Sequence, residues 1–197
     1  MRITSPTSET SGDKGSLSGK ASGKTCSFDV CQECPVCCCR DAKPPLTEER
    51  VRKIKYHLRK NGVAIGQIFE KRGYVFPVLD EVGFCVFYEK KTKRCKVHEV
   101  KPETCVAGPV TFDINYQTGK VEWFLKTAEI CALAGKLDRD REQLAVHLKI
   151  ARQRLLELIN RLDAESLRVI LKIEEPQTFK IGEETLATGV AKRLHID

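Results

Sequence analysis

The sequence predicts an α+β fold: a small metal-knit, cysteine-rich core with a short β-hairpin, followed by C-terminal amphipathic helices. Ten cysteines lie in 197 residues, five of them between Cys31 and Cys39 and three more at Cys85, Cys95 and Cys105. Val110–Ile114 and Val121–Leu125 look like two strands joined by Asn115 to Lys120, a hairpin signal. Leu144, Leu148, Ala151, Leu155, Ile159 and Leu162 recur at steps of four and three, giving one apolar stripe along a helix.

Each element follows from local chemistry. Residues 1–25 are Ser, Gly, Thr and Lys with little to bury, and are expected to form a disordered tail. Within them, Gly19-Lys20-Ala21-Ser22-Gly23-Lys24-Thr25 imitates a phosphate-binding loop. Its spacing is one residue short and no apolar strand precedes it, so nucleotide binding is not expected. After the cysteine knot at 31–39, Pro44-Pro45 stops any helix. Thr47 then caps a helix with Glu48 and Glu49 in its first turn, Val51, Ile54 and Leu58 at helical spacing, and Asn61-Gly62 at its end. The pattern allows a second short helical stretch around Ala64 to Lys71. Phe84 to Tyr88 reads as a strand and Glu89 to Arg94 as a charged turn. From Asp138 the pattern is helical, and Asp163 can cap a further short helix through Leu171 that Pro176 ends. The segment from Gln177 to Asp197 is mixed. The apolar stripe either packs on the protein's own core or faces a partner, and the first is favoured because most amphipathic helices bury their own stripe. The expected division is a tail (1–25), a cysteine-cluster metal-binding domain (26–137), a helical region (138–175) and a C-terminal tail (176–197). There is no internal repeat.

Composition excludes several classes. With 41% hydrophobic and 31% charged residues the chain can bury a core. No run of about 18 apolar residues is present, so membrane insertion is not expected. Met1 to Thr25 lacks the apolar stretch of a secretory signal, so the expected compartment is the reducing cytoplasm, where clustered cysteines mean metal or redox chemistry. The net charge of +7 suggests nucleic acid at first sight. A metal centre held by four thiolates carries a charge of about −2, so two such centres would bring the total to about +3. Aromatic residues are only 7%, without the aromatic–basic alternation that supports base stacking, so nucleic acid is not the expected partner. The basic surface and C-terminal helices suit a protein partner; the oligomeric state is open.

Cys31-Gln32-Glu33-Cys34-Pro35-Val36-Cys37-Cys38-Cys39 holds two consecutive C-x2-C steps, a tight turn that aims several sulfurs at one point. Zinc knuckles and the opening of a ferredoxin-type C-x2-C-x2-C run share this geometry. Neighbouring side chains tend to point apart, so Cys37 and Cys38, if both are ligands, suit two different sites. Between Cys85 and Cys105, six cations (Lys90, Lys91, Lys93, Arg94, Lys96 and Lys101) face three carboxylates (Glu89, Glu99 and Glu103). Such an excess lowers thiol pKa values, or else forms a solvated face.

These residues resemble a known family. Cys31-x2-Cys34-x2-Cys37-Cys38 reproduces the signature of the YkgJ-like CxxCxxCC family, described as a zinc- or iron-chelating domain. Phe84-Cys85-Val86-Phe87-Tyr88 is similar to that family's C-x-F-L strand. Cys95-Lys96-Val97-His98-Glu99-Val100-Lys101-Pro102-Glu103-Thr104-Cys105 resembles its C-x-I-Y-E-x-R-P-x-x-C segment, with His98 in place of the usual Tyr, Lys101 in place of Arg, and Val106 where an Arg commonly follows. Cys131 fits the place of a further family cysteine beyond the hairpin. The resemblance covers residues 26 to 135 and implies an iron–sulfur or zinc protein. The matching positions are Cys31, Cys34, Cys37, Cys38, Cys85, Cys95, Cys105 and Cys131. Ligand arithmetic divides eight thiolates into two four-coordinate sites, with one site and surplus cysteines as the alternative; Cys26 and Cys39 are left over.

Thiolate softness suits both metals. The triple C-x2-C-x2-C run favours one or two [4Fe–4S] clusters, with zinc as the alternative; His98, three residues after Cys95, is a knuckle ligand or an ordinary surface histidine, and the second is favoured. A chain with ten thiols and no metal would carry an oxidation liability without use. The expected function is electron transfer or service to a partner enzyme as an accessory or maturation subunit, with no evident catalytic base or nucleophile. A structural zinc-binding interaction module is the second class. A related family group joins such cysteines to protein-lysine methylation, a third class; no glycine-rich S-adenosylmethionine loop is present here, so that activity is not carried over.

Overall fold

A computed structural model describes residues 38–175 and 177–196. Cys26, Cys31, Cys34, Cys37 and the segment expected to be a tail lie outside the described residues. Thr47 starts helix α1 (Glu48–Lys60), its hydroxyl accepting the Arg50 amide at 3.1 Å, while Glu48 and Glu49 complement the positive end of the helix dipole. The Asn61 side chain donates to the His57 carbonyl and Gly62 turns the chain away at φ +69°. Ile54 and Leu58 face a small apolar cluster with Leu46, Ile68, Phe87 and Val97.

The helical stretch allowed around residues 64–71 is not formed. Phe69–Arg72 (β1) instead pairs antiparallel with Tyr74–Pro77 (β2) around Gly73. Gly73 sits at φ +77°, and a Cβ there would lie 3.0 Å from Val169, so both conformation and space require glycine. The expected strand at 84–88 is shorter: Phe84 and Cys85 make isolated bridges to Arg40 and Leu79, and only Tyr88–Glu89 (β3) pairs in register with Arg94–Cys95 (β4) across the charged turn. A 3-10 turn (His98–Val100) and a short helix, α2 (Glu103–Ala107), follow.

The hairpin forms as the sequence predicts. Val110–Asn115 (β5) pairs with Lys120–Lys126 (β6), burying Val121, Trp123 and Leu125 on one face. Helix α3 (Ala132–Arg139) leads into α4 (Arg141–Arg161), whose Leu144, Ala151, Leu155 and Ile159 are buried against the sheet, with Leu148 partly buried and Leu162 just beyond the helix. The stripe therefore packs on the protein's own core. Asp163 caps α5 (Ala164–Ile170) by accepting the Ser166 amide at 2.7 Å. The mixed C-terminal segment contains Thr178–Thr185 (β7), which adds to β6 and completes a three-stranded antiparallel sheet, and α6 (Thr188–Leu194), which packs Val190 and Leu194 into the same core. Strand, hairpins and helices make the α+β class.

Two hydrophobic clusters result, one from residues 46–97 and one from 107–196. The hairpin and the C-terminal helices share the larger of the two. Helix α2 lies at the junction: Glu103 reaches back to α1, while Ala107 belongs to the larger core.

Candidate metal centre

Backbone pairing gathers the described cysteines from separated segments. The Cys85 amide donates to the Cys39 carbonyl at 2.9 Å and the Asp41 amide to the Gly83 carbonyl at 2.7 Å, which fastens the end of the cysteine knot along the Cys85 segment. Tyr88, whose amide donates to the Cys85 carbonyl at 2.8 Å, pairs in register with Cys95. Cys105 is the middle residue of α2. All six described cysteines are free thiols.

The electrostatics link four of them. Hydrogen bonding from the Cys39 side chain lowers the Cys38 thiol to about 6, helped by Lys101 and Lys126 and opposed by desolvation. Desolvation pushes Cys85 up to about 11, with Cys95 adding repulsion. Cys95 is raised by desolvation and by Cys38, with Lys101 opposing. Cys105 is raised most, by desolvation and then by Cys38, Cys85 and Cys95 together. Cys38 and Cys105 keep open surface, while Cys39, Cys85 and Cys95 are partly covered. Cys38, Cys85, Cys95 and Cys105 therefore share one electrostatic neighbourhood bordered by Lys101 and Lys126.

Among the described residues, no three His, Cys, Asp or Glu side chains already stand at metal-binding separation. Cys131 is not among the neighbours that shift the other four thiols; it precedes α3, half-buried against the larger core. His98 opens the 3-10 turn at the surface, its imidazole held below the usual range by desolvation and Lys101. Cys31, Cys34 and Cys37 lie outside the described residues. The donor set fits a thiophilic metal: Cys38 ionises readily, and the repulsion that would arise among further thiolates at Cys85, Cys95 and Cys105 is relieved by a cation between them.

Several contributors escaped the sequence reading. Lys126 ends β6 far along the chain from Cys38, and Cys39, left over in the ligand count, is the hydrogen-bond partner of Cys38. Arg50 binds Glu103, and His147 of α4 lies 3.0 Å from the Ala107 carbonyl, so α2 is held at both ends. No local motif marks any of these; the (i, i+53) Arg–Glu pairing exists only once α1 and α2 meet.

No helix of the described residues is long and apolar enough to cross a membrane. The family model described as "CxxCxxCC: Putative zinc- or iron-chelating domain" matches residues 30–132, more than half of the chain. The uncharacterized protein MJ0661 of Methanocaldococcus jannaschii is 29% identical over 106 residues, covering 49% of this chain and 54% of that protein. The chain thus spans about half the length of the curated relative it matches. No solved structure matches the chain.

Proposed function

We propose that this chain, which belongs to the CxxCxxCC family, holds iron as one or two [4Fe–4S] clusters on Cys31, Cys34, Cys37, Cys38, Cys85, Cys95, Cys105 and Cys131, and serves electron transfer or a partner enzyme. The carrying observation is the backbone pairing that gathers distant cysteines: the Cys85 amide donates to the Cys39 carbonyl at 2.9 Å, and Tyr88, whose amide donates to the Cys85 carbonyl, pairs in register with Cys95. Cys37 is bonded to Cys38, and Cys31 is only seven residues away, within about 25 Å at full stretch, so covalent geometry keeps the rest of the knot within reach.

A cluster bound here would supply one-electron redox chemistry. The protein's own residues would do the rest. Lys101 and Lys126 lower the cost of gathering negative thiolates, and the Cys39 thiol donates to Cys38. Zinc, also named in the family's description, is the second reading and would make the site structural, since four sulfur ligands leave no open position.

Iron, zinc and acid-labile sulfide per chain, measured on protein purified without oxygen, test this. About eight iron and eight sulfide mean two cubane clusters, and about four of each mean one. Zinc without sulfide replaces the proposal with the structural-scaffold reading. Protein that contains neither metal and cannot be reconstituted with either refutes both.

A further inference from the structure

We infer that Arg50 and Glu103 are positioning residues for the cysteine site: one guanidinium, fixed on α1, sets the shape of the arc that carries Cys95 at one end and Cys105 at the other. The inference rests on the metal-centre reading above.

Arg50 is a rigid post. Its backbone amide is held by the Thr47 cap, and α1 is anchored by Ile54 and Leu58 in the smaller apolar cluster. From there its side chain, 11% exposed, reaches across the gap. Nε and Nη2 both stand 2.9 Å from Glu103 Oε1, and Nη1 donates to the Val100 carbonyl at 3.3 Å. Val100 ends the 3-10 turn after Cys95, and Glu103 begins the helix that carries Cys105. One planar group thus holds both sides of Lys101-Pro102, on the stretch that joins the two cysteines. The geometry of the guanidinium fork, fixed in a way an ammonium is not, suits this task.

The same contact is a poor device for stability. Glu103 is 3% exposed, so the carboxylate is removed from water, and both Arg50 nitrogens go to one oxygen while Oε2 is buried without a hydrogen-bond partner. Buried ion pairs recover their desolvation only when geometry is excellent and every remaining lone pair is filled, and replacing such a pair with apolar residues is often neutral or stabilising. What this pair supplies, and an apolar pair would not, is a directional tie to the Val100 carbonyl and to the start of α2. Outer-shell residues that orient metal ligands affect affinity about 10- to 100-fold.

The experiment compares the full chain with the double variant Arg50→Met, Glu103→Leu and with the single variants Glu103→Gln and Arg50→Lys. Each metal-free protein is melted, its Zn²⁺ affinity is measured without oxygen by chelator competition, and Co²⁺ is added to read thiolate ligation from its sulfur-to-cobalt absorption. The double variant is expected to melt at or above the wild-type temperature, to bind Zn²⁺ at least about tenfold more weakly, and to show reduced thiolate absorption per bound Co²⁺. Arg50→Lys keeps the charge and loses the fork; it is expected to weaken Zn²⁺ binding while remaining folded, and it carries the test if the double variant does not fold. Wild-type affinity and absorption in whichever of these variants folds overturn the positioning role, even if melting temperatures fall. A wild-type protein that binds neither Zn²⁺ nor Co²⁺ and cannot be reconstituted with iron and sulfide overturns the metal-centre reading and this inference with it, whereas normal wild-type binding with unchanged variants overturns the inference alone.

Discussion

His147 offers a quantitative test of how the larger core supports the Cys105 helix. The imidazole is 9% exposed, and Nε2 stands 3.0 Å from the Ala107 carbonyl, the last residue of α2; a neutral ring with its proton on Nε2 donates this bond. Leu at 147 keeps the volume and removes the donor, leaving a buried carbonyl unpaired at a cost of about 1–3 kcal/mol. In a domain of this size that is about 2–12 °C in melting temperature. Gln at 147 restores an amide donor and is expected to recover most of the loss. Desolvation holds the His147 pKa below its usual value, opposed by the Ala107 and Gly108 carbonyls and reinforced by Lys101. The folded pKa therefore lies below the unfolded value near 6.5. Above that pH the ring is neutral in both states and stability is unaffected; as pH falls below it, the unfolded chain takes up a proton that the folded chain refuses. Stability then falls by up to about 1.4 kcal/mol per pH unit until the folded pKa is reached. Denaturant melts of wild type, His147→Leu and His147→Gln at matched metal content, from pH 8 to pH 5, measure the difference. Wild type is expected to lose more stability on acidification than either variant. A wild type and His147→Gln with the same pH slope, or a His147→Leu as stable as wild type at pH 8, would refute the reasoning.

Other outcomes follow from single contacts. Leu155→Ala removes a fully buried side chain of α4 and is expected to cost about 2–5 kcal/mol, read as a drop in denaturant midpoint with unchanged slope. Gly73→Ala places a side chain at φ +77° and against Val169, and is expected to cost at least about 1–2 kcal/mol by the same melts. Cys105→Ser is expected to lower bound metal per chain and to reduce the melting temperature of the metal-loaded protein more than that of the chelator-treated protein. Equal losses in both would separate Cys105 from the metal.

The legible parts of the fold are those governed by short-range physics. Thr47 and Asp163 each satisfy an orphan amide three residues on, so helix starts are written locally. The stripe from Leu144 to Leu162 and the alternation Val121-Trp123-Leu125 encode which face is buried. The site was legible as a set of cysteine spacings. Misreadings arose where tertiary contact overrides local pattern: residues 69–72 extend because Tyr74–Pro77 is available to pair with them. Likewise 178–185 becomes a strand because β6 has a free edge.

By itself, then, the sequence determined the thiol inventory, the helix caps and the amphipathic faces, since each depends on residues a few positions apart. Only the tertiary structure decided that Lys126 sits near Cys38 and that Arg50 and His147 hold the two ends of the Cys105 helix. Those are contacts across 40 to 88 residues, and the free energy that selects them comes from closing the whole chain around two cores rather than from any local segment.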